Sequence, residues 1–317
     1  MTNVEQLDDG LHCIDLHFQG EAGVIACYLL QSGVERALIE IGPGSTLDAL
    51  LAGLEQIGVE PASIGKIIVT HIHLDHAGAA GSWMQRYPNA QLYVHEIGAP
   101  HMIDPSKLLA SATRIYGDRM DVLWGNFLPV PENQVHVMRD VDCVNVGEIA
   151  LRVHYTPGHA SHHVALHDPA RNVVFTGDVA GVRLPHHTYV RPPTPPPDLD
   201  LDLWRSSVQL LLDLKPSALL LTHFGKFTDG PEHLTQLPDR LDRWAQIVAD
   251  GSARGEDRRQ LTDALQHFGD REISDVEDHD SATERYELAT PYNMSVDGFL
   301  RYFRKRPSAN NPPVSQS

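Results

Sequence analysis

The segment 71–76, with the sequence His-Ile-His-Leu-Asp-His, constrains this chain more than any other. It places three imidazoles and one carboxylate within six residues, directly after the apolar run 67–70, which is typical of a short buried strand. If His71 and His73 continue that strand, their side chains share one face, because side chains alternate with a period of two. A turn into a helix at 75–76 would bring the other two polar side chains to the same place.

Imidazole and carboxylate ligands together suit zinc, iron or manganese, and four of them on one loop can serve two adjacent ions. The alternative is a histidine-rich surface turn, because the chain holds 19 histidines among 317 residues. Three later segments favour the metal site, since each ends a predicted strand with a polar side chain beside Gly or Pro. They are Thr156–His159, Thr176–Asp178 and Leu221–His223. A single polar residue at the end of a strand is usually part of a turn, but three such residues after the segment 71–76 favour metal ligands.

Alternating and apolar runs, broken by Gly and Pro, predict strands in two β-rich parts of the chain, 11–95 and 135–223. The predicted strands are 11–18, 24–31, 37–41, 67–70, 91–95, 135–138, 149–155, 163–167, 173–176 and 218–222. The predicted helices are 46–57, capped by Ser45 or Thr46, then 77–87, 97–126, 199–214 and most of the chain after 232. Two stacked sheets with helices outside are therefore expected, with the proline-rich loop 184–198 as a stiff connector.

Composition limits the function classes. The net charge of -17 argues against a nucleic-acid binder and against binding to an anionic membrane surface. The three cysteines, Cys13, Cys27 and Cys143, form no disulfide framework and are expected to be small core residues. The acidic N-terminus lacks the features of a signal peptide, and no apolar run is long enough to span a membrane, so a cytoplasmic protein is expected.

In the order and spacing of these motifs, the chain resembles the metallo-β-lactamase superfamily over about residues 10–225. The resemblance implies an α/β (α+β) αββα sandwich over 1–230 with the metals at one edge of the sheets, followed by a helical C-terminal extension over 231–306 and a disordered tail over 307–317. It implies that one metal is held by His71, His73 and His159, and the other by Asp75, His76 and His223. Asp178 would bridge the two, as in the two-metal hydrolase branch that includes glyoxalase II and acyl-homoserine lactonases.

One position departs from the family pattern, which usually has an Asp-x-Gly turn after the third strand. Here the turn is Glu40-Ile41-Gly42. In the family that carboxylate supports a metal-bound histidine through a hydrogen bond, and Glu40 is expected to do the same with a side chain one methylene longer. Loss of such support typically costs about 10–100-fold in metal affinity or activity.

The implied chemistry is hydrolysis of a small carbonyl substrate by a hydroxide that bridges two divalent cations, zinc or alternatively iron or manganese. Asp178 would hold the ion pair, and Asp75 would orient the nucleophile or accept its proton. The substrate would be a lactone, an ester or a thioester. An iron-dependent oxidoreductase similar to sulfur dioxygenases is the main alternative on the same scaffold. A nuclease is disfavoured by the net charge, and a non-catalytic binding module would be expected to have lost ligands.

Further candidates flank the expected site. His163 is either a hydrogen-bonded partner of the metal site, including a proton shuttle, or simply a satisfied histidine at the start of a strand. Tyr116 on the helices 97–127 and three residues of the loop 181–197 are candidates for substrate contacts, because loops carry specificity. Those three are Arg183, Tyr189 and Arg191. The C-terminal extension could cap the site, pair two copies into a homodimer, or simply pack as a terminal helix on its own domain.

Overall fold

The computed structural model describes residues 3–274 and 279–305, in which two β-sheets pack face to face between helices. The first sheet has seven strands in chain order. They are β1 (Val4–Asp8), β2 (Leu11–Asp15), β3 (Ala26–Ser32), β4 (Glu35–Ile39), β5 (Lys66–Ile68), β6 (Gln91–His95) and β7 (Val135–Met138). The strands from β4 to β7 run parallel to one another, so each connection between them must cross over, and helices supply these crossovers.

The second sheet has six strands, in the spatial order β13, β12, β11, β10, β9 and β8. Their bounds are β8 (Cys143–Val146), β9 (Ile149–Tyr155), β10 (Val164–Asp168), β11 (Val173–Gly177), β12 (Ala218–Leu221) and β13 (Gly225–Phe227). Only β11 and β12 pair in parallel within this sheet, and the chain that connects them includes the proline-rich loop and a long helix. The carboxyl ends of β11 and β12 therefore lie side by side.

The helices form the two outer layers and the C-terminal extension. They are α1 (Leu47–Gln56), α2 (Leu74–Ala77), α3 (Ala80–Arg86), α4 (Ala99–Ile103), α5 (Ser106–Tyr116), α6 (Met120–Trp124), α7 (Leu201–Leu214), α8 (Gly230–Ala253), α9 (Arg258–Glu272), α10 (His279–Ala289) and α11 (Tyr292–Lys305). Side chains alternate along each strand, so one face of a sheet packs against the other sheet and the opposite face packs against helices. In β11, Phe175 packs between the sheets, whereas Val174 packs against the second helical layer. The αββα architecture expected from the sequence is confirmed.

Several expectations about individual elements need correction. Strand β7 was expected with the second half of the chain, but it pairs with β6 at the edge of the first sheet. Strands β1, β8 and β13 were not predicted, because they are short and lie at or next to a sheet edge, where polar residues interrupt the pattern. No side chain caps α1. The hydroxyl of Thr46 donates to the carbonyl of Pro43, and that of Ser45 donates to the carbonyl of Leu123.

The cysteines differ from one another. Cys13 and Cys27 are buried core residues, as expected, but Cys143 is exposed at the start of β8. The pattern of that strand explains the difference, because Val144 and Val146 face the core and alternation leaves Cys143 on the outside. Among the described residues, no helix combines the length and apolar character needed to cross a bilayer. The expected tail, 307–317, lies outside the described residues.

The C-terminal extension packs on the second helical layer and is anchored to the chain that follows β11. Within α8, His233 is buried, and its Nε2 donates to the carbonyl of Ala180 at 2.7 Å. Its Nδ1 accepts a hydrogen bond from Arg183 at 3.3 Å. Burial above all, assisted by the charge of Arg183, lowers the pKa of His233 to about 4. Protonation would replace the Arg183 hydrogen bond by repulsion between two cations.

The folded protein should therefore become less stable as the pH falls, because folding opposes the protonation of His233. Between pH 6.5 and 4 the unfolded chain binds a proton that the folded chain does not, so this contribution is complete above pH 6.5 and is lost as the pH falls. From pH 7.5 to pH 5 the loss is about 2 kcal/mol. Urea unfolding of the metal-free protein at both pH values measures it. His233→Gln should remove that part of the pH dependence, and His267→Gln, an exposed control on α9, should not. An unchanged pH dependence in His233→Gln would contradict this assignment.

Candidate metal centre

The loop after β5 delivers four polar side chains to the edge of the two sheets. His73 is still extended, with φ -60° and ψ 156°, and α2 begins at the next residue, so Asp75 and His76 leave from a helical turn. His71 and His76 are fully buried, and Asp75 is 19% exposed through its side chain. The strand-to-helix turn expected from the sequence is therefore present.

Glycine permits the approach of the loop that carries His159. Gly158 has a φ of +136°, and a Cβ at this position would lie 2.3 Å from the Cα of Trp204 in α7. No other residue fits there, because the backbone conformation and the close helix both exclude a side chain. The loop consequently passes directly under α7 and places His159 beside His73.

Three histidines form the first group of convergent nitrogen atoms. The Nδ1 atom of His73 lies 2.9 Å from Nε2 of His71 and 2.9 Å from Nε2 of His159. The three residues can offer one ligand atom each within 4.8 Å of one another. Three imidazole nitrogens that face one point suit a divalent transition metal.

Asp75, His76 and His223 form the second group. The Oδ2 atom of Asp75 lies 3.3 Å from Nε2 of His223 and 3.7 Å from Nε2 of His76. His223 reaches this point from the chain that follows β12, and it is 1% exposed. Two imidazoles and a carboxylate are a donor set that zinc, iron and manganese all accept.

Asp178, directly after β11, lies between the two groups. Its Oδ1 atom is 3.2 Å from Nε2 of His76 and 3.6 Å from Nε2 of His223. Its Oδ2 atom is 3.3 Å from Nε2 of His159. One carboxylate oxygen therefore faces each group, which is the geometry of a bridging ligand.

The ring orientations of four histidines are fixed through the nitrogen that faces away from the centre. His159 Nδ1 donates to the carbonyl of Pro193 at 2.8 Å, and His223 Nδ1 donates to the carbonyl of Val24 at 2.7 Å. His71 Nδ1 lies 3.1 Å from the hydroxyl of Thr70, and His76 Nδ1 lies 3.0 Å from Oε1 of Glu40. Such contacts select the tautomer that leaves Nε2 free to bind a metal.

Three buried polar atoms of the centre support the inference that it binds metal ions. Among the described residues, Nε2 of His76, Nε2 of His223 and Oδ1 of Asp178 are buried and form no well-aligned hydrogen bond, although Oδ1 lies 3.2 Å and 3.6 Å from the two nitrogens. Buried polar atoms are costly when unpaired, and three of them facing one point need a common partner. A cation satisfies all three at once.

The protonation states of His71, His73 and Asp178 suit metal binding. Burial, followed by the neighbouring histidines, lowers the pKa of His71 well below its usual range, and burial lowers that of His73 to about 3. For Asp178 burial acts to raise the pKa, but the neighbouring His76, His159 and His223 outweigh it and hold the pKa well below its usual value. Neutral imidazole and ionised carboxylate are the forms that bind metals. In the second group, burial acts to lower the pKa of His76 and of His223, but Asp178 and Asp75 outweigh it and raise both, so a metal that binds there must displace protons.

Glu40 takes the supporting position that the sequence suggested. It is fully buried, and its Oε1 atom accepts hydrogen bonds from Thr70 at 2.5 Å and Thr222 at 3.2 Å, in addition to its contact with His76. Oε2 accepts the backbone N–H of Thr70 at 3.2 Å. The backbone of Glu40 has a φ of 62°, a left-handed conformation in which Asp is several-fold enriched among non-glycine residues. The longer glutamate therefore fits, and it links both sheets to the centre.

His163 supports Asp178 through a hydrogen bond. Its Nε2 accepts the backbone N–H of Asp178 at 3.1 Å, and its Nδ1 donates to the hydroxyl of Thr156 at 2.8 Å. Both ring nitrogens are therefore occupied, and His163 is absent from the cavity lining, so the alternative of a satisfied structural histidine is favoured over a proton shuttle. His162, its neighbour, does line the cavity that opens onto the centre.

The expectation that three residues of the loop 181–197 contact substrate is wrong, because none of them lines the cavity. Arg183 is buried and donates to the carbonyl of His187 at 2.5 Å and to Asp229 at 2.8 Å. Arg191 is fully buried, with its guanidinium 3.8 Å from the centre of the Tyr292 ring. Tyr189 is 5% exposed and packs edge-on against another tyrosine ring. The loop turns these side chains toward the C-terminal extension.

Tyr116, by contrast, lines the cavity, and its contact with substrate stays a prediction. The cavity has a volume of about 1170 Å³, and Asp75, Asp178, His73 and His159 form part of its lining. Helices α4–α6 contribute one side, and α10 and α11 contribute another. The contribution of the C-terminal extension had no signal in the sequence beyond the position of its helices. The same holds for the carbonyls of Val24 and Pro193, because backbone groups carry no residue signature.

Comparisons with known proteins agree with this geometry. Over 200 residues the chain is 30% identical to the metallo-beta-lactamase fold-containing protein ST1585 of Sulfurisphaera tokodaii, which covers 62% of this chain and 74% of that protein. It is 28% identical over 152 residues to the atrochrysone carboxyl ACP thioesterase of Aspergillus fumigatus, covering 48% of this chain and 38% of that protein.

Among solved structures, the metallo-beta-lactamase family protein TTHA1429 of Thermus thermophilus superposes with a TM-score of 0.69 at 21% identity, and 95% of each chain is covered. At this identity the likeness concerns the fold, and the coverage extends it to the C-terminal helices. The family model of the metallo-beta-lactamase superfamily matches residues 20–223, which include the six side chains of the two groups and Asp178 between them. This chain belongs to the metallo-beta-lactamase superfamily.

Proposed function

We propose that the protein is a dinuclear metal-dependent hydrolase that cleaves a lactone, an ester or a thioester. The observation that carries the proposal is the carboxylate of Asp178, which presents one oxygen to each of two groups of convergent ligand atoms. A single-metal site would need only one of these groups. Both groups are complete here.

Two divalent cations, zinc in our proposal, would polarise a carbonyl and lower the pKa of a bound water toward neutrality. The residues of the chain divide the remaining tasks. Asp178 would hold both cations and balance part of their charge. Asp75 is the one carboxylate of the centre with an appreciable exposed fraction, 19%, and it lines the cavity. It is therefore positioned to orient the attacking water and to accept its proton.

Hydrolysis of a thioester has additional support. A thioesterase is among the relatives, although this chain spans only 38% of its length. The reaction also needs no nucleophilic side chain. The exposed thiol of Cys143 lies on β8, outside the cavity, and Cys13 and Cys27 are buried in the first sheet. Attack by water, rather than by a cysteine thiol, is therefore the chemistry that the residues lining the cavity support.

Metal content tests the proposal. Purified protein reconstituted with zinc should contain about two equivalents per chain, because the donor atoms form two groups. His71→Ala should remove mainly the first equivalent, and His223→Ala mainly the second. His267→Ala, at an exposed position on α9, should keep both. Mass spectrometry of the metals, after removal of loosely bound ions, gives the count. A count of zero after reconstitution would refute a metalloenzyme of any kind.

The reaction type is tested on the same preparations. Zinc-loaded protein should release acid from a lactone, ester or thioester without oxygen, because zinc does not change its oxidation state. Assays of the zinc and iron forms with and without oxygen separate hydrolysis from oxygen chemistry. Turnover only by the iron form, and only with consumption of oxygen, would replace the hydrolase by an oxidoreductase.

A further inference from the structure

We propose that the cavity is an acyl chamber: the space between helices α5 and α6 and the α10–α11 segment binds a large apolar acyl or aromatic group attached to the reacting carbonyl. The inference rests on the proposed function and names its substrate class. It also assigns a role to the C-terminal extension, as one wall of the substrate site.

The first wall of the acyl chamber is aromatic. Phe18 and Trp124 stack with their ring centres 5.5 Å apart, and Tyr116 packs edge-on against Trp124 at 5.0 Å. All three line the cavity, together with Leu108 and Leu123. Aromatic rings bury large apolar areas, so this wall gains most from an apolar ligand.

The second wall comes from the C-terminal extension. Leu288, Ala289 and Met294 line the cavity from α10 and α11. The two walls meet where the hydroxyl of Tyr116 lies 3.5 Å from the sulfur of Met294. A thioether is a weak acceptor and is adaptable in shape, so this contact closes the chamber with an apolar surface.

The second wall is held rigidly to the loop that follows the bridging aspartate. Arg191 of that loop donates to the carbonyl of Thr290 at 3.3 Å, and its guanidinium lies over the ring of Tyr292. In α11, a Cβ on Gly298 would lie 1.8 Å from the carbonyl oxygen of Thr194. The helix therefore rests directly on the proline-rich loop, and Met294 has a fixed position relative to Asp178.

Size and charge both favour a large apolar group. The volume of about 1170 Å³ exceeds the roughly 300–1,000 Å³ of pockets that hold drug-sized ligands. A short acyl group would leave most of this volume filled with water. Several charged residues of the lining are exposed, as Lys107, Arg119 and Glu21 are, or ion-paired, as Arg258 and Asp297 are at 2.6 Å. Asp198 is partly buried and accepts a hydrogen bond from Ser161 at 2.6 Å. Solvent or a polar partner therefore stabilises these charges.

A series of thioesters with one leaving group and increasing acyl length tests the chamber. Each buried methylene should raise kcat/KM up to about fourfold, so hexanoyl should exceed acetyl by about 100-fold. Decanoyl should be at least as good as hexanoyl. A flat or falling profile from acetyl to decanoyl, in an active preparation, would overturn the proposal.

Substitutions at the half-buried Met294 test whether this side chain is part of the chamber wall or only supports the fold. Met294→Trp fills the chamber and should lower kcat/KM for the decanoyl substrate at least about tenfold more than kcat/KM for the acetyl substrate. Met294→Ala should lower the ratio of the decanoyl to the acetyl kcat/KM. Leu203→Trp, at an exposed position on α7 outside the lining, is the control and should change neither. Equal losses for both substrates would mean that Met294 only supports the fold.

Ligand binding distinguishes failure of the chamber from failure of the proposed function. Decanoate and acetate share a carboxylate, and their affinities for the zinc-loaded protein can be compared by titration calorimetry. Decanoate should bind at least about 100-fold more tightly than acetate, and Met294→Trp should remove most of that difference. If no carbonyl substrate reacts but this difference is found, the hydrolase falls and the apolar chamber stands. If decanoate binds no better than acetate, the chamber is wrong.

Discussion

Asp178→Asn should lower the rate of hydrolysis at least about 100-fold and reduce the content of both metals, because this carboxylate faces both groups of ligands. The amide keeps the shape of the side chain but removes one negative charge. Its nitrogen carries two hydrogens and cannot serve as a ligand, so one of the two groups must lose its contact with residue 178. The remaining oxygen is also a weaker ligand than a carboxylate oxygen.

Metal content and activity should be measured together on the same zinc-loaded samples. Asp213→Asn, an exposed aspartate on α7, is the matched control and should retain two metals and full activity. Circular dichroism and unfolding experiments establish that both variants are folded. Near-normal activity with two bound metals in Asp178→Asn would show that this residue does not bridge. Loss of one metal alone would place Asp178 in a single group.

The convergence of the seven side chains could be predicted because its signals are local. Four of the residues lie within 71–76, and the others each follow a short apolar strand. Chain order alone does not bring strand ends together, but in a layered α/β fold the ends of neighbouring strands share an edge. The structure unites all seven, whereas their role as ligands stays a prediction that the metal analysis tests.

The direction in which the side chains of the loop 181–197 point could not be predicted in the same way. Arg183 and Arg191 follow the bridging aspartate in a loop, where long polar side chains suggest contacts with substrate. Their direction is set by packing against α8, α10 and α11, which lie about 40 to 110 residues further along the chain. The place of β7 in the first sheet is equally non-local, because its pairing with β6 spans the whole α4–α6 segment. Sequence patterns indicate which residues are buried and whether they form a helix or a strand, but not which distant element they contact.

Glu40 shows how far a single position can be interpreted. The sequence indicated a carboxylate in a supporting place and left its geometry open, since the side chain is longer than the usual aspartate. In the structure the extra methylene brings Oε1 to His76, Thr70 and Thr222 together. One oxygen therefore joins the ends of β5 and β12 to the second metal group. The position should consequently matter for both stability and metal binding.

Glu40→Ala should lower the free energy of unfolding by about 3 kcal/mol or more, because it leaves the buried donors of Thr70 and His76 unpaired. It should also weaken metal binding at the Asp75, His76 and His223 group by about 10–100-fold, since His76 loses the partner that fixes its ring. The first group should change less. The left-handed backbone is no new penalty, because alanine and glutamate are equally strained there.

Two further variants separate the causes. Glu40→Gln keeps the volume and one acceptor oxygen but presents N–H donors to the backbone N–H of Thr70, so it should lose metal affinity with a smaller loss of stability. Thr222→Val removes one donor to Glu40 and leaves the contact with His76, so it should cost less metal affinity than either change at residue 40. Urea unfolding of the metal-free forms gives stability, and competition with a chelator gives affinity at each group. If Glu40→Ala binds two metals as tightly as the unmodified protein, the carboxylate supports the fold alone and His76 is oriented by its own packing.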